Sequence, residues 1–314
     1  MRAVRFDRYG GVDVLEVRDV DDPVAAEGRV VVEVRAAGVN PGEMAIREGF
    51  LHDRWPATFP SGQGSDLAGV VVAVGDGETS WKVGDEVLGF SHERSSHAEL
   101  VAVPWQQLVA KPAGTPWEVA GSLYVAGVTG AIASLVVAPQ AGEVVVVSAA
   151  AGGVGGVAAQ MSVRAGATVI GLASERHHDW LRSRGVVPVA YGDGQEQRIR
   201  RAAGERPIAA FIDTFGRGTG AATSDGYMAL AVALGVPASR IETVIDFAGA
   251  AEIGANAVGG DHPDPRPILT ELAGLVATGD LDVPIAATYP LEQVRDAYRD
   301  VERRHTRGKI VLLP

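Results

Sequence analysis

Residues 144–160 read VVVVSAAAGGVGGVAAQ. A run of valines closes on small residues, crosses Gly152 and Gly153, and passes Gly155 into another small-residue stretch. Strand, glycine turn and helix in that order suit the pyrophosphate of a dinucleotide. Gly152 and Gly153 let the backbone approach an anion with no side chain in between. Ala149, Ala150 and Ala151 leave room for the turn, and Gly155 lets the helix pack against its strand. The helix start then offers free N–H groups and a positive partial charge. Ala150, Gly152, Gly153 and Val154 are therefore the candidate phosphate cradle. The spacing is A-x-x-G-x-x-G over 149–155, not a strict G-x-G-x-x-G, and a tight βα turn without a ligand fits the local sequence as well.

The next strand carries the chemistry that separates two cofactors. An NAD site usually ends its second strand on Asp or Glu, which holds the ribose hydroxyls. Here TVIGLAS (168–174) ends on Ala173 and Ser174, with Glu175 one residue late and Arg176 and His177 behind it. Hydroxyl and basic groups in place of the acid suit a 2′-phosphate, so NADPH is expected. Tyr191, at the end of the following short strand, adds a phenol donor for the same phosphate. Glu175 counts against this reading, and a solvated helix start accounts for Arg176 and His177 equally simply.

Other chemistry is excluded by what the chain lacks. It has no cysteine, so disulfides, thiolate-bound zinc, iron–sulfur clusters and cysteine nucleophiles are out. Seven histidines are present, without an H-E-x-x-H spacing, so no metal site is expected. A formal net charge of −11 argues against nucleic acid or an anionic membrane surface as a partner. The first residues, MRAVRFDRYGG, lack the apolar core of a signal peptide, and no apolar run is long enough to span a bilayer. A cytoplasmic protein is the default expectation.

These groups must be positioned by the elements around them. The first hundred residues read as β: alternating or β-branched runs at 14–20, 29–39, 66–77, 83–90 and 97–103, separated by glycines and prolines. Only 41–49 suggests a short helix there. The pattern changes near 116, where 116–136 reads as one helix beginning near Pro116. From 144 strands and helices alternate, with strands at 144–149, 168–174, 187–192 and 208–216 and further strand character in 239–249. The helices fall at 154–166, 176–185 and 194–204. Buried strands alternating with helices predict a doubly wound parallel sheet covered on both faces. Two more helices are expected at 267–281 and 291–306, and GKIVLLP (308–314) is a last strand that returns to the first domain.

The ordered set of motifs resembles a known family. AAGVNPGEMAIREG (36–49), DLAGVVVAVGDG (66–77), WKVGDEVLGF (81–90), HAELVAVPWQQLVAKP (97–112), AGVTGAIASL (126–135), SAAAGGVGGVAAQ (148–160) and RGKIVLLP (307–314) occur in its order over nearly the whole chain. The chain is similar to the zinc-free quinone oxidoreductase (zeta-crystallin-like) branch of the medium-chain dehydrogenase/reductase superfamily. The resemblance implies an α/β protein with a GroES-like β domain (1–120 with 285–314) and a Rossmann NADP-binding domain (121–284). Zinc-dependent members draw ligands from a Cys and a Gly-His-Glu motif. The comparable stretch here, SGQGSDLAG (61–69), has neither Cys nor His.

Reducing a simple ketone leaves an alkoxide that needs a Lewis acid or a good proton donor. The chain has no Tyr-x-x-x-Lys pair and only Lys82, Lys111 and Lys309 as lysines. A quinone or enone spreads the charge into a phenolate or enolate, which a few hydrogen-bond donors stabilise. A small, apolar, conjugated substrate is therefore expected. The resemblance implies Asn40 beside the nicotinamide and substrate, Thr129 near the nicotinamide and its ribose, Phe247 where backbone contacts the nicotinamide amide, and Lys309 near the cofactor. Each also has a plain reading: a turn residue before Pro41, a threonine bonding back to its own helix, core packing, and a surface lysine on an edge strand. Ala45 stands where some relatives carry a Tyr; Arg47 matches a family Arg, and its plain reading is a pairing with a carboxylate within the β domain. His92, Arg94 and His97 fall in a loop that overlooks the cleft or is simply exposed, while Phe50, Trp55 and Tyr124 line a substrate pocket or simply pack. The resemblance also implies a homodimer. Two alternatives stay open: an NADPH-binding protein with a structural or redox-sensing role, and a dedicated enoyl reductase of a biosynthetic pathway.

Overall fold

The computed structural model describes residues 1–77, 79–216, 226–260, 262–303 and 306–314. The chain divides into two compact units, Met1–Ala126 with Asp264–Pro314, and Gly127–Pro263.

The first unit opens with β1 (Arg2–Phe6), β2 (Glu16–Asp19) and β3 (Arg29–Val39). Helix α1 (Pro41–Arg47) follows, then β4 (Ser61–Gly62), β5 (Asp66–Val74), β6 (Glu86–Phe90), β7 (Leu100–Pro104) and β8 (Leu108–Ala110), and the short helix α2 (Trp117–Ala120). β1 pairs antiparallel with β2 and β4. β3 is the spine of the larger sheet. It pairs with β5 along one edge and with β7 at Arg29–Glu33 on the other. Alternation along β3 sends Val30, Val32 and Val34 into a core with Leu67, Val71, Val87, Val101 and Val103. Each such valine contributes about 1.5–3 kcal/mol by leaving water.

The second unit holds α3 (Thr129–Val137), β9 (Val144–Val147), α4 (Gly153–Arg164), β10 (Thr168–Ala173), α5 (His178–Ser183), β11 (Val187–Ala190), α6 (Gln195–Ala203), β12 (Ile208–Asp213), α7 (Gly226–Ala233), β13 (Ile241–Thr243) and α8 (Phe247–Ile253). Its strands form a parallel sheet in the order β11-β10-β9-β12-β13. The four valines of β9 show why the sheet is covered twice. Val144 and Val146 pack with Ile199 of α6 and Leu230 of α7. Val145 and Val147 pack with Ala133 and Val137 of α3 and Ala158 of α4. Gly130 permits the close pairing of α3 and α4, because a Cβ there would lie 2.6 Å from the Val154 carbonyl oxygen.

The chain then re-enters the first unit through α9 (Arg266–Thr278), β14 (Ile285–Pro290), α10 (Val294–Glu302) and β15 (Lys309–Leu313). The last strand does return to the first domain's sheet, with Ile310, Val311 and Leu312 opposite Val39, Gly38 and Ala37 of β3. Helix α9 packs on β8, so residues from 264 onward go with the first unit, where the sequence suggests a boundary near 285. β14 was not expected from the sequence. The expected helix over 291–306 is observed at Val294–Glu302, and its residues 304 and 305 lie outside the described residues.

The helix expected over 116–136 is broken into α2, a π-helical turn at Tyr124–Val128, and α3. Two contacts draw the backbone out of register. Gly121 lies against β3, where a Cβ would meet the Ala36 carbonyl oxygen at 2.4 Å. The Val125 N–H donates to Asp66 Oδ1 at 2.7 Å. Strand character expected through 239–249 ends at Thr243, because Asp246 caps α8 by accepting the Gly249 N–H at 3.0 Å. Asp246→Ala is expected to lower stability by about 1 kcal/mol, measured as a lower urea midpoint at unchanged m-value.

Candidate functional site

The glycine turn leaves the C-terminal end of β9, and the backbone there is tightly specified. Ala149 takes a left-handed conformation at φ +44°, and its carbonyl accepts the Gly152 N–H at 2.8 Å. Gly152 is the residue before α4 and brings no capping side chain. The helix therefore begins with backbone N–H groups and its positive dipole end, the arrangement that binds phosphate. A Cβ on Gly155 would come within 2.4 Å of the Ala149 carbonyl oxygen, so this glycine sets how closely helix and turn approach. The cradle fits a dinucleotide pyrophosphate.

Register brings the second group of candidates to the same edge of the sheet. Ala173 of β10 lies opposite Ala190 of β11. Ser174 and Tyr191, the next residues in each, thus leave neighbouring strand ends side by side. Gly171 lies opposite Val147, so the glycine turn departs on the other side of β10. Ser174 precedes a 3-10 turn, Glu175–His177, in which the Arg176 Nε donates to His177 Nε2 at 3.1 Å. Arg176 is exposed, and so is Tyr191. Sequence reading missed Arg198, whose guanidinium holds the loop after Tyr191. It donates to the carbonyls of Ala190 at 2.9 Å, Gly192 at 3.1 Å and Asp193 at 2.7 Å.

In the same unit Thr129 is the first residue of α3, and Gly260 lies against its hydroxyl: a Cβ on Gly260 would be 2.7 Å from Thr129 Oγ1. Phe247 is half-buried at the start of α8, four residues beyond the end of β13. The cradle and Phe247 thus follow C-terminal ends of parallel strands, where ligands of open α/β sheets bind.

Asn40 and Lys309 belong to the first unit and are buried in a polar cluster. Asn40 Nδ2 donates to Glu43 Oε1 and to Asp66 Oδ2, both at 3.1 Å. Its Oδ1 accepts from the Lys309 ammonium, which also donates to the Val39 carbonyl at 3.3 Å and lies 3.5 Å from Asp66 Oδ2. Glu43 further accepts the Asn40 and Ser65 backbone N–H groups and the Tyr298 hydroxyl. Lys309 is thus no surface lysine: its strand lies between β14 and β3, and the side chain is buried. Burial pushes the Asp66 carboxyl upward, and the Lys309 charge opposes it. Burial, and then Glu43, hold the Tyr298 phenol well above the ordinary tyrosine range. The stretch SGQGSDLAG invites attention to the ligands it lacks, whereas it supplies this cluster with Gln63, Ser65 and Asp66, bonded to Tyr298, Glu43 and Asn40 respectively.

The loop residues divide. His92 is exposed and edge-on to Phe90, and Arg94 donates to the Pro56 carbonyl at 2.9 Å. His97 departs from the exposed-loop expectation. It is fully buried, its Nε2 lies 3.2 Å from the Gly38 carbonyl, and burial lowers its basicity. Arg47 is also fully buried, with its guanidinium over the Tyr298 ring and bonded to the Gly10 carbonyl and Glu48. Tyr124 stacks on Phe90 at 4.4 Å, Trp55 carries the Arg54 guanidinium on its ring, and Phe50 is largely exposed. Among the described residues, no group of three His, Asp or Glu is arranged to hold a metal ion, and no helix is long and apolar enough to cross a membrane.

Comparison with known proteins bears on both units. Residues 26–149 match the alcohol dehydrogenase GroES-like domain, and residues 185–312 match the zinc-binding dehydrogenase family. A quinone oxidoreductase of Pseudomonas aeruginosa is 29% identical over 327 residues, covering 100% of this chain and 99% of the relative. The structure of the quinone oxidoreductase from Coxiella burnetii superposes with a TM-score of 0.86 at 27% identity, covering 100% of this chain and 99% of that one. Escherichia coli quinone oxidoreductase, solved in complex with NADPH, shares the fold at a TM-score of 0.81, 23% identity and full coverage of both chains.

Proposed function

The chain belongs to the quinone oxidoreductase branch of the medium-chain dehydrogenase/reductase superfamily, and from that premise we propose that it is an NADPH-dependent reductase of quinones or α,β-unsaturated carbonyls. The observation that carries the cofactor half is the edge of the parallel sheet. The glycine turn, Ser174 with Arg176, and Tyr191 follow three neighbouring strands, and β10 ends without an acid.

Bound NADPH supplies the hydride. The chain's own residues then have separable tasks. Gly152, Gly153 and Val154 present backbone N–H groups to the pyrophosphate, with Ala150 shaping the turn. Ser174, Arg176, His177 and Tyr191 hold the 2′-phosphate by charge-assisted hydrogen bonds. Thr129 orients the nicotinamide end, with the backbone at Phe247 beside it. Asn40 enters as a fixed amide dipole, since both Nδ2 hydrogens are engaged. Lys309 acts by holding that amide. The product charge of a quinone or enone is delocalised, so water suffices as the proton source.

The test is steady-state NADPH oxidation against a panel of quinones and enones, with NADH in parallel. Wild type is expected to prefer NADPH. Arg176→Ala is expected to raise the NADPH KM about tenfold or more, the worth of a hydrogen bond to a charged group, and to leave the NADH KM unchanged. A native preference for NADH would remove the phosphate assignment, and absence of turnover with every acceptor would remove the catalytic reading. One observation favours a second reading, NADPH binding with a structural or redox-sensing role: the donors of Asn40 and Lys309 are already spent inside the protein. Tight NADPH binding without turnover would decide for it. A homodimer is also proposed, to be checked by light scattering.

A further inference from the structure

Asp213 is the last residue of β12 and is fully buried. Among the described residues no basic side chain pairs with it. Its carboxylate is instead filled by neutral donors from three strand ends. Oδ1 accepts from the Ser148 hydroxyl at 2.7 Å and the Phe215 N–H at 3.0 Å. Oδ2 accepts from the Thr243 hydroxyl at 2.9 Å, and the Gly216 N–H reaches both oxygens, at 3.1 and 3.2 Å. Both oxygens face donors, so an amide in this place would point N–H at N–H or O–H.

The two hydroxyls pass the order on. Ser148 opens the glycine turn, and its Oγ accepts the Thr214 N–H at 2.8 Å while its carbonyl accepts the Thr214 hydroxyl at 2.8 Å. Thr243 ends β13, and its Oγ1 accepts the Asp246 N–H at 3.0 Å and the Ile245 N–H at 3.3 Å. One carboxylate thus connects the start of the phosphate cradle to the backbone that leads into Phe247. The sheet order places it at the switch point of this parallel sheet, where the strands added after β9 step to one side through β10 and β11 and those added later, β12 and β13, lie on the other. That switch point is where a crevice for ligand opens in such sheets.

We infer that Asp213 is a positioning residue for the dinucleotide: it fixes the cradle at 148–155 relative to the nicotinamide-side backbone at 243–247, with Ser148 and Thr243 as its two arms. This rests on the cofactor reading above. It predicts that loosening either arm weakens cofactor binding in the folded protein, apart from any loss of stability.

Asp213→Asn tests the hub. Ser148→Ala and Thr243→Val each remove one arm with little change in volume, which covers the case in which Asp213→Asn does not fold. NADPH and NADH affinities are measured by fluorescence titration under native conditions, urea midpoints separately, and KM and kcat with a quinone acceptor. The single-arm variants are expected to raise the NADPH Kd and KM about tenfold, as for one hydrogen bond to a charged group, with the quinone KM unchanged and kcat within about twofold. A purely structural role lowers the urea midpoint and leaves the native Kd at the wild-type value in both variants. That result overturns the inference while the cofactor reading stands. If wild type binds neither NADPH nor NADH, the cofactor reading itself fails and takes the inference with it.

Discussion

Gly155→Ala is expected to lower stability by about 1–3 kcal/mol, as overpacking does, and to raise the NADPH Kd at least about tenfold. The added Cβ would lie 2.4 Å from the Ala149 carbonyl oxygen and 2.8 Å from the Ala149 carbonyl carbon and the Ser148 oxygen. All three are backbone atoms, so no side chain can swing aside. The turn has no slack either, since Ala149 already sits at φ +44°. Relief has to come from moving α4 away from the turn, which moves the N–H groups that the pyrophosphate would meet. Gly156→Ala is the internal control. Its Cβ would meet the tip of Trp180 at 3.3 Å and the Ala150 oxygen at 3.5 Å, and an alanine inside a helix gains up to about 1 kcal/mol over glycine. It should be neutral or stabilising. Urea unfolding and NADPH titration of the two variants decide it, and equal behaviour would show that the glycine spacing is not what shapes the turn.

That pair of glycines also shows what the sequence discloses and what it hides. The order strand, glycine, helix is local, and so is the valine run of β9, whose burial on both faces follows from composition alone. The missing acid at the end of β10 is likewise a local fact, and the register of β10 with β11 only adds that Tyr191 is its neighbour. What could not be read are bonds between residues far apart in the chain. Asp213 looks like the polar end of an ordinary strand until Ser148 and Thr243 are seen to converge on it. Taken by itself Lys309 reads as a surface lysine on an edge strand, because nothing near it in sequence announces Asn40 and Asp66. The helix expected over 116–136 failed for the same reason: Gly121 and Val125 answer to Ala36 and Asp66, not to their helical neighbours. The family resemblance pointed to Asn40 and Lys309, while their partners came only from the fold.

Lys309→Met is expected to cost about 3–5 kcal/mol, the usual result of removing one partner of a buried charge pair. Methionine keeps the apolar length of the side chain and removes the ammonium. Asp66 and Glu43 would then remain buried, with the Asn40 amide between them, and Asp66 would lose its ion-pair partner. The loss should also depend on pH, and its sign follows from Asp66. Burial raises this carboxyl in the folded state and Lys309 pulls it back, so the variant raises it further. A folded-state acid above its unfolded value, about 3.9 for Asp, binds its proton more tightly when folded. Stability is then highest below the unfolded value and falls as pH climbs toward the folded one. The deficit of Lys309→Met relative to wild type should therefore be smaller at pH 5 than at pH 8. Asp66→Asn in the Lys309→Met background removes the uncompensated charge and should restore part of the lost stability and abolish most of the pH dependence of the deficit. Urea midpoints of wild type and the two variants at both pH values give the measurement. A deficit below about 1 kcal/mol, within the range of exposed pairs, or one that does not vary with pH, would mean that the ammonium does not compensate Asp66.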